Sequence, residues 1–151
     1  MVNAETKAPW QYSNFPFNSF ANHAGRYLAL TDGALYALTG DTHDGTAIEA
    51  IGKTGLINFG TAMKKALPRA YFGYTSSGEL LFKTITTDTG KKITRWYQLK
   101  ERTAESVTDA RVKMARGVKS VYWQFEITNI EGADFEVDTI KLLPVILNRR
   151  V

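Results

Sequence analysis

The segment Ser120-Val121-Tyr122-Trp123-Gln124-Phe125-Glu126-Ile127-Thr128-Asn129 decides the fold class. Val121, Trp123, Phe125 and Ile127 alternate with Tyr122, Gln124, Glu126 and Thr128. Side chains on a strand point to opposite faces with period two. The first set is therefore expected in a core, and the second facing water or a partner. Beyond a Glu131-Gly132 turn, Phe135, Val137 and Thr139 alternate with Asp134, Glu136 and Asp138, which predicts another strand. The closing run Leu142–Leu147 contains Pro144. Proline cannot donate to a ladder, so this run reads as an edge or bulged strand.

The same signals extend upstream. Arg26–Leu30 and Ala34–Thr39 flank Thr31-Asp32-Gly33, where Asp-Gly suits a hairpin turn. Gly40-Asp41-Thr42-His43-Asp44-Gly45 reads as a loop, followed by a strand from Ala47 to about Ile51. Ala70–Tyr74, Leu80–Thr86 and Ile93–Leu99 read as three strands joined by Ser76-Ser77-Gly78 and Asp88-Thr89-Gly90. Two segments stay open. Thr61–Ala66 fits one helical turn or a loop, ended by Pro68. Glu105–Met114 has Val107, Ala110 and Met114 near helical spacing, but a turn followed by the strand Arg111–Arg116 is preferred, because it would pair with the strong strand after Gly117. Short strands with turns every 8–12 residues predict an all-β fold, an antiparallel β-sandwich of jelly-roll-like type. Residues 26–151 are expected to form this single domain. Residues 1–25 carry Trp10, Tyr12, Phe15, Phe17 and Phe20 among Pro9, Pro16 and four Asn, and read as an irregular N-terminal aromatic arm.

A length of 151 residues fits one domain, and 44% hydrophobic with 23% charged residues is ordinary globular composition. Zero Cys excludes a disulfide scaffold and any thiolate metal site. The longest wholly apolar run, Leu142–Leu147, is far short of the ~20 residues of a membrane helix, so no membrane insertion is expected. The first residues show no basic start followed by an apolar core, which leaves a reduced cytoplasm as the expected site of folding.

The net charge of +4 hides a segregation. Residues 1–52 carry two basic and five acidic side chains, residues 53–119 fourteen and five, and residues 120–151 three and five. Three readings follow. Lys83, Lys91, Lys92 and Arg95 sit on solvent faces or strand edges, where Lys discourages edge pairing. Alternatively, a basic surface of one subunit meets an acidic surface of the next. The third is nucleic-acid contact, which is disfavoured because no Lys/Arg-rich run of five to eight residues is present.

Catalytic and metal chemistry find little material. His23 and His43 are the only histidines and lack the spacing of a zinc site, so they read as surface or packing residues. Asp41-Thr42-His43-Asp44-Gly45 lacks the alternating ligands and distal Glu of a calcium loop, and reads as an Asx-rich turn. Glu126, Glu136 and Asp138 lie on neighbouring expected strands, so a glycosidase carboxylate pair is conceivable, but solvent-face acids are far commoner. Trp10 and Trp96 are the tryptophans left for stacking a sugar or a base once Trp123 is assigned to the core. No catalytic residue, metal or cofactor is therefore expected.

Several ordered blocks resemble structural proteins of tailed bacteriophages. They are Tyr27-Leu28-Ala29 with Thr31-Asp32-Gly33-Ala34-Leu35-Tyr36-Ala37-Leu38-Thr39-Gly40-Asp41, and Thr54-Gly55-Leu56-Ile57-Asn58-Phe59-Gly60 followed by Ala70-Tyr71. Arg116–Asn129 then continues through Gly132-Ala133-Asp134-Phe135 to Leu142-Leu143-Pro144-Val145 and Arg149-Arg150. Phe15-Pro16-Phe17-Asn18-Ser19-Phe20 fits the same pattern upstream. The resemblance covers the chain from about residue 14 onward and carries no catalytic residue. It implies a non-enzymatic virion component of the tail, with a head–tail connector or adaptor, or a carbohydrate-binding host-attachment module, as alternatives. Such a protein would assemble in the host cytoplasm with copies of itself, in a ring-like homo-oligomer, and with other tail or connector proteins. The candidate contact residues are Phe15, Phe17 and Phe20 of the arm, Lys64 and Lys65 of the basic middle, and Arg149 and Arg150.

Overall fold

The computed structural model describes residues 16–40, 42–88, 90–103 and 109–147. All assigned elements are strands, and every pairing is antiparallel. The chain divides into two compact units, Met1–Asp41 and Thr42–Val151.

In the first unit, β1 (Ser19–His23), β2 (Arg26–Leu30) and β3 (Leu35–Ala37) form a meander. Part of the expected irregular arm is thus a strand. The reason is the two-residue turn Ala24-Gly25, with φ of 49° and 79°, between the paired His23 and Arg26. Positive φ at both central residues matches the twist of a hairpin, and Ala there is not a signal that sequence reading counts. The expected Asp32-Gly33 turn is wider. Leu30 pairs with Leu35, and the Thr31 hydroxyl accepts the Ala34 N–H at 3.1 Å.

The second unit begins with a hairpin of β4 (Thr42–His43) and β5 (Thr46–Ala47), then β6 (Ile51–Lys53) and β7 (Lys65–Ala66). Long strands follow: β8 (Arg69–Ser76), β9 (Leu80–Asp88) and β10 (Lys91–Leu99). The remaining strands are β11 (Ala110–Lys113), β12 (Lys119–Ser120), β13 (Trp123–Asn129), β14 (Phe135–Leu142) and β15 (Val145–Ile146). A four-stranded sheet of order β10-β9-β13-β6 and a three-stranded sheet of order β11-β8-β14 supply one core between them, as in a β-sandwich. A small sheet, β12-β7-β15, accompanies them. Phe72 of β8 meets Phe82 of β9 edge-on at 4.7 Å, Phe82 stacks on Phe125 at 5.9 Å, and Phe125 on Trp123 at 6.3 Å.

Departures from the alternating pattern have local causes. The run 120–129 breaks after Ser120, because two carbonyls leave the ladder for side chains. The Ser120 carbonyl accepts the Trp123 indole N–H at 3.2 Å, and the Val121 carbonyl accepts the Lys65 ammonium at 3.2 Å. The expected strand from Ala47 to Ile51 is interrupted by Asn129. Its side-chain oxygen takes the Ala50 N–H at 2.8 Å, and its amide donates to the Ile48 carbonyl at 2.9 Å. β14 carries an irregularity between Val137 and Thr139 that shifts its register. Leu142 closes β14, and β15 is an edge strand beyond Pro144. Thr61–Ala66 is no helix and ends in β7; the strand expected over Arg111–Arg116 is present as Ala110–Lys113, but it pairs with β8 and not with the strand after Gly117, because Val112 enters the core beside Ala70 of β8.

Candidate functional site

The β1–β3 meander has almost no core of its own. Of residues 16–40 only Ala29 is buried. Phe20 is 55% exposed, Tyr27 62% and Leu35 61%, and Leu30 is exposed too. Phe20 and Tyr27 line a shallow hollow with Leu28 and Leu38. Phe17 packs edge-on against Phe20 at 6.0 Å and tilts against Tyr36 at 5.5 Å. Two of the three arm phenylalanines therefore meet on one small sheet, while Phe15 lies outside the described residues, as do Arg149 and Arg150. Phe20 and Tyr27 share one face of this sheet and Leu30 and Leu35 the other, and exposed large apolar side chains grouped in this way mark contact surfaces in soluble proteins.

The two lysines of the basic middle part company. Lys65, expected at a partner surface, has 0% exposure. Its ammonium donates to the Thr61 carbonyl at 2.6 Å and to Val121, tying the preceding loop to the break before β13. Burial pulls its pKa below the ordinary lysine value. Lys65 is thus a structural residue, and its alternation partner Lys64 takes the outward place. Lys64 lines a hollow with Arg95, Val118 and Lys119, bringing together cations that lie far apart in sequence.

Glu126 does not face water as the alternation suggested. It is buried on the outward side of the four-stranded sheet, where cross-strand register lines up Trp96, Lys83, Glu126 and Lys53. The Lys83 ammonium bonds one Glu126 oxygen, and Lys53 approaches the other at 3.6 Å. Lys83 also sits over the Trp96 ring, 4.1 Å from its centroid. The hydrogen bond from Lys83 holds the Glu126 carboxyl below its usual range, despite the opposing effect of burial. This row corrects the placement of Lys83 on a solvent face, whereas Lys91, Lys92 and Arg95 are exposed on the edge strand β10. The signal that finds it is the β9–β13 register, which no single segment reveals.

The other chemistry candidates do not converge. Glu136 and Asp138 belong to β14 in the three-stranded sheet, away from Glu126 in the four-stranded one. His23 and His43 lie exposed in β1 and β4. Among the described residues no group of three His, Asp or Glu is placed to hold a metal ion. Asp44-Gly45, with φ of 49° and 76°, is the turn of the β4–β5 hairpin. Comparison with protein-family models, curated proteins and solved structures finds no match to this chain.

Proposed function

We propose that this protein is a non-enzymatic structural component of a bacteriophage virion, a tail protein that assembles with copies of itself and with other tail proteins. One observation carries the assembly half of this reading: the three-stranded β1–β3 sheet leaves Phe20 and Tyr27 exposed on one face and Leu30 and Leu35 on the other, and of residues 16–40 only Ala29 is buried. Such a sheet gains stability when a neighbour covers it. The phage half rests on the ordered sequence blocks described above. Their resemblance is shared by tail and head–tail junction proteins, so a connector or adaptor is the nearest alternative. A carbohydrate-binding role draws support from Trp96, which is 54% exposed on an edge strand and held by Lys83.

Mass spectrometry of purified phage particles tests the proposal. The protein is expected in stoichiometric amounts with tail proteins, and its absence from particles refutes the reading. In parallel, Phe20→Ser with Leu35→Ser is expected to weaken association while the thermal melt of the Thr42–Val151 unit stays in place. Glycan binding that vanishes in Trp96→Ala, with no association of any kind, would instead establish the carbohydrate-binding role.

A further inference from the structure

The sandwich unit carries a second surface pair, and it is electrostatic. At one end of the three-stranded sheet, Lys113 of β11 stands directly opposite Arg69 of β8, and Arg111 follows on the same face. Like charges directly opposite each other cost stability in a sheet. The cluster continues round the edge. Tyr97 of β10 accepts the Ala115 N–H at 3.0 Å, joining that edge to the hollow holding Arg95 and Lys119. All five cations are exposed, and among the described residues none of them forms an ion pair.

Glu131, Asp134, Glu136 and Asp138 are also exposed, along β14 and the turn before it, and none has an ion-pair partner among the described residues. Lys141, on the same strand, is taken by Asp109 at 2.9 Å. Arg102 shares a shallow hollow with Asp134 and Glu136, but its guanidinium lies over the Tyr74 ring at 5.8 Å.

The two clusters sit at diagonal corners. β11 and β14 flank β8 on opposite sides; Lys113 is level with Arg69 at the start of β8, and Glu136 with Thr75 near its end. Six residues of strand and two strand spacings separate Lys113 from Glu136 by roughly 20 Å along the sheet and about 10 Å across it. The Debye length in physiological salt is about 8 Å, so the clusters do not neutralise each other within one molecule. Between two molecules they can touch.

Resting on the assembly reading above, we infer that the cationic corner around Arg69, Lys113, Arg95 and Lys119 docks the acidic β14 edge of a second copy of this chain. The contact is heterologous, because its two halves are different patches on one subunit. Repetition of such a contact closes a ring or extends a filament. The acidic edge, opposite in sign to the cationic corner and without ion pairs among the described residues, favours a second copy over a nucleic acid as occupant.

The test uses the full chain and two neutralised forms. One is Arg95→Gln with Lys119→Gln, and the other is Glu136→Gln with Asp138→Asn. Sedimentation velocity of the wild type is expected to show multimers at low salt that dissociate toward about 1 M salt, where the Debye length is about 3 Å. Each variant alone is expected to associate roughly tenfold or more weakly. Mixed together they are expected to form one-to-one pairs, since each retains the half the other lacks. If the wild type assembles and both variants assemble as it does, these surfaces are not the contact, although the assembly reading stands. A wild type that stays monomeric at every salt and concentration overturns both. If Arg95→Gln with Lys119→Gln abolishes binding of a short DNA duplex while self-association is unchanged, the corner serves nucleic acid and the inference is wrong.

Discussion

Replacing Trp123 with alanine probes the register on which the whole sandwich depends. Trp123 is buried at the first position of β13. It pairs with Thr86 on one side, and on the other it exchanges backbone hydrogen bonds with Ile57 at 2.8 and 2.9 Å. A tryptophan side chain buries on the order of 200 Å². At about 25 cal/mol per Å² this corresponds to roughly 5 kcal/mol, of which alanine retains a fraction. The indole N–H also leaves the Ser120 carbonyl, which adds about 1 kcal/mol if that oxygen stays unpaired. We therefore expect Trp123→Ala to cost about 4 kcal/mol, within the usual range for large core truncations.

The assay is urea unfolding at several protein concentrations in high salt, so that association does not inflate apparent stability. For a chain of this length the loss corresponds to a fall in Tm of roughly 8–16 °C. Trp123→Phe separates the two contributions, since it keeps a ring against Phe125 and gives up only the indole bond and part of the area. It is expected to cost about 1–2 kcal/mol. A one-residue slip would turn Trp123 to the outer face, where truncation is nearly neutral. A loss below about 1 kcal/mol in Trp123→Ala would refute the register.

Three further substitutions test the polar details. Glu126→Gln removes the carboxylate shared by Lys83 and Lys53 and is expected to cost about 2 kcal/mol, less than for a fully buried pair because Lys53 is half exposed. Glu126 has a lowered folded pKa, so its contribution is complete above the ordinary glutamate value and is lost as pH falls through the folded one; the variant's acid unfolding curve should be correspondingly flatter. Thr86→Val should raise stability by about 1 kcal/mol, because the Thr86 hydroxyl is buried without a hydrogen-bond partner among the described residues; a loss in chemical denaturation would mean that the hydroxyl is satisfied. Gly132→Ala should cost about 1–2 kcal/mol, since Gly132 has φ of 76° and a Cβ there would lie 3.0 Å from that of Ala47; an unchanged melt would contradict the turn geometry.

The strands of the sandwich were legible wherever one face is buried. Ala70–Tyr74, Leu80–Thr86 and Ile93–Leu99 all lie inside observed strands, because period-two alternation of apolar residues has one physical solution. What stayed hidden depends on partners distant in sequence. Asn129 replaces ladder bonds at Ile48 and Ala50, and Lys65 takes the Val121 carbonyl, so two strands break where local pattern continues. Lys64 and Lys65 are equal as sequence, and only the pairing of Lys65 with both Ser120 and Ile146 puts it in the middle of a sheet. Glu126 shows the same limit. Its outward direction is readable from alternation, whereas the lysines that cover it come from two other strands.

The uneven charge along the chain gains its meaning from strand order. Had β8, β11 and β14 been arranged with β11 beside β14, the basic residues near 111 and the acidic residues near 136 would lie opposite each other and cancel in pairs. Instead β8 lies between them, and the sequence blocks become separate corners of one sheet. Inserting β8 there brings Lys113 against Arg69, a like-charge pair that costs stability in a sheet. Its presence beside Arg111, with no carboxylate among the described residues closing an ion pair on any of the three, is understandable if the compensating charge arrives from outside the molecule. The sequence alone offers solvated faces, nucleic acid or another subunit as that source. The four acids along β14 and the turn before it, unpaired among the described residues, make a second subunit the most economical of the three, since they call for a cationic partner as the basic corner calls for an anionic one.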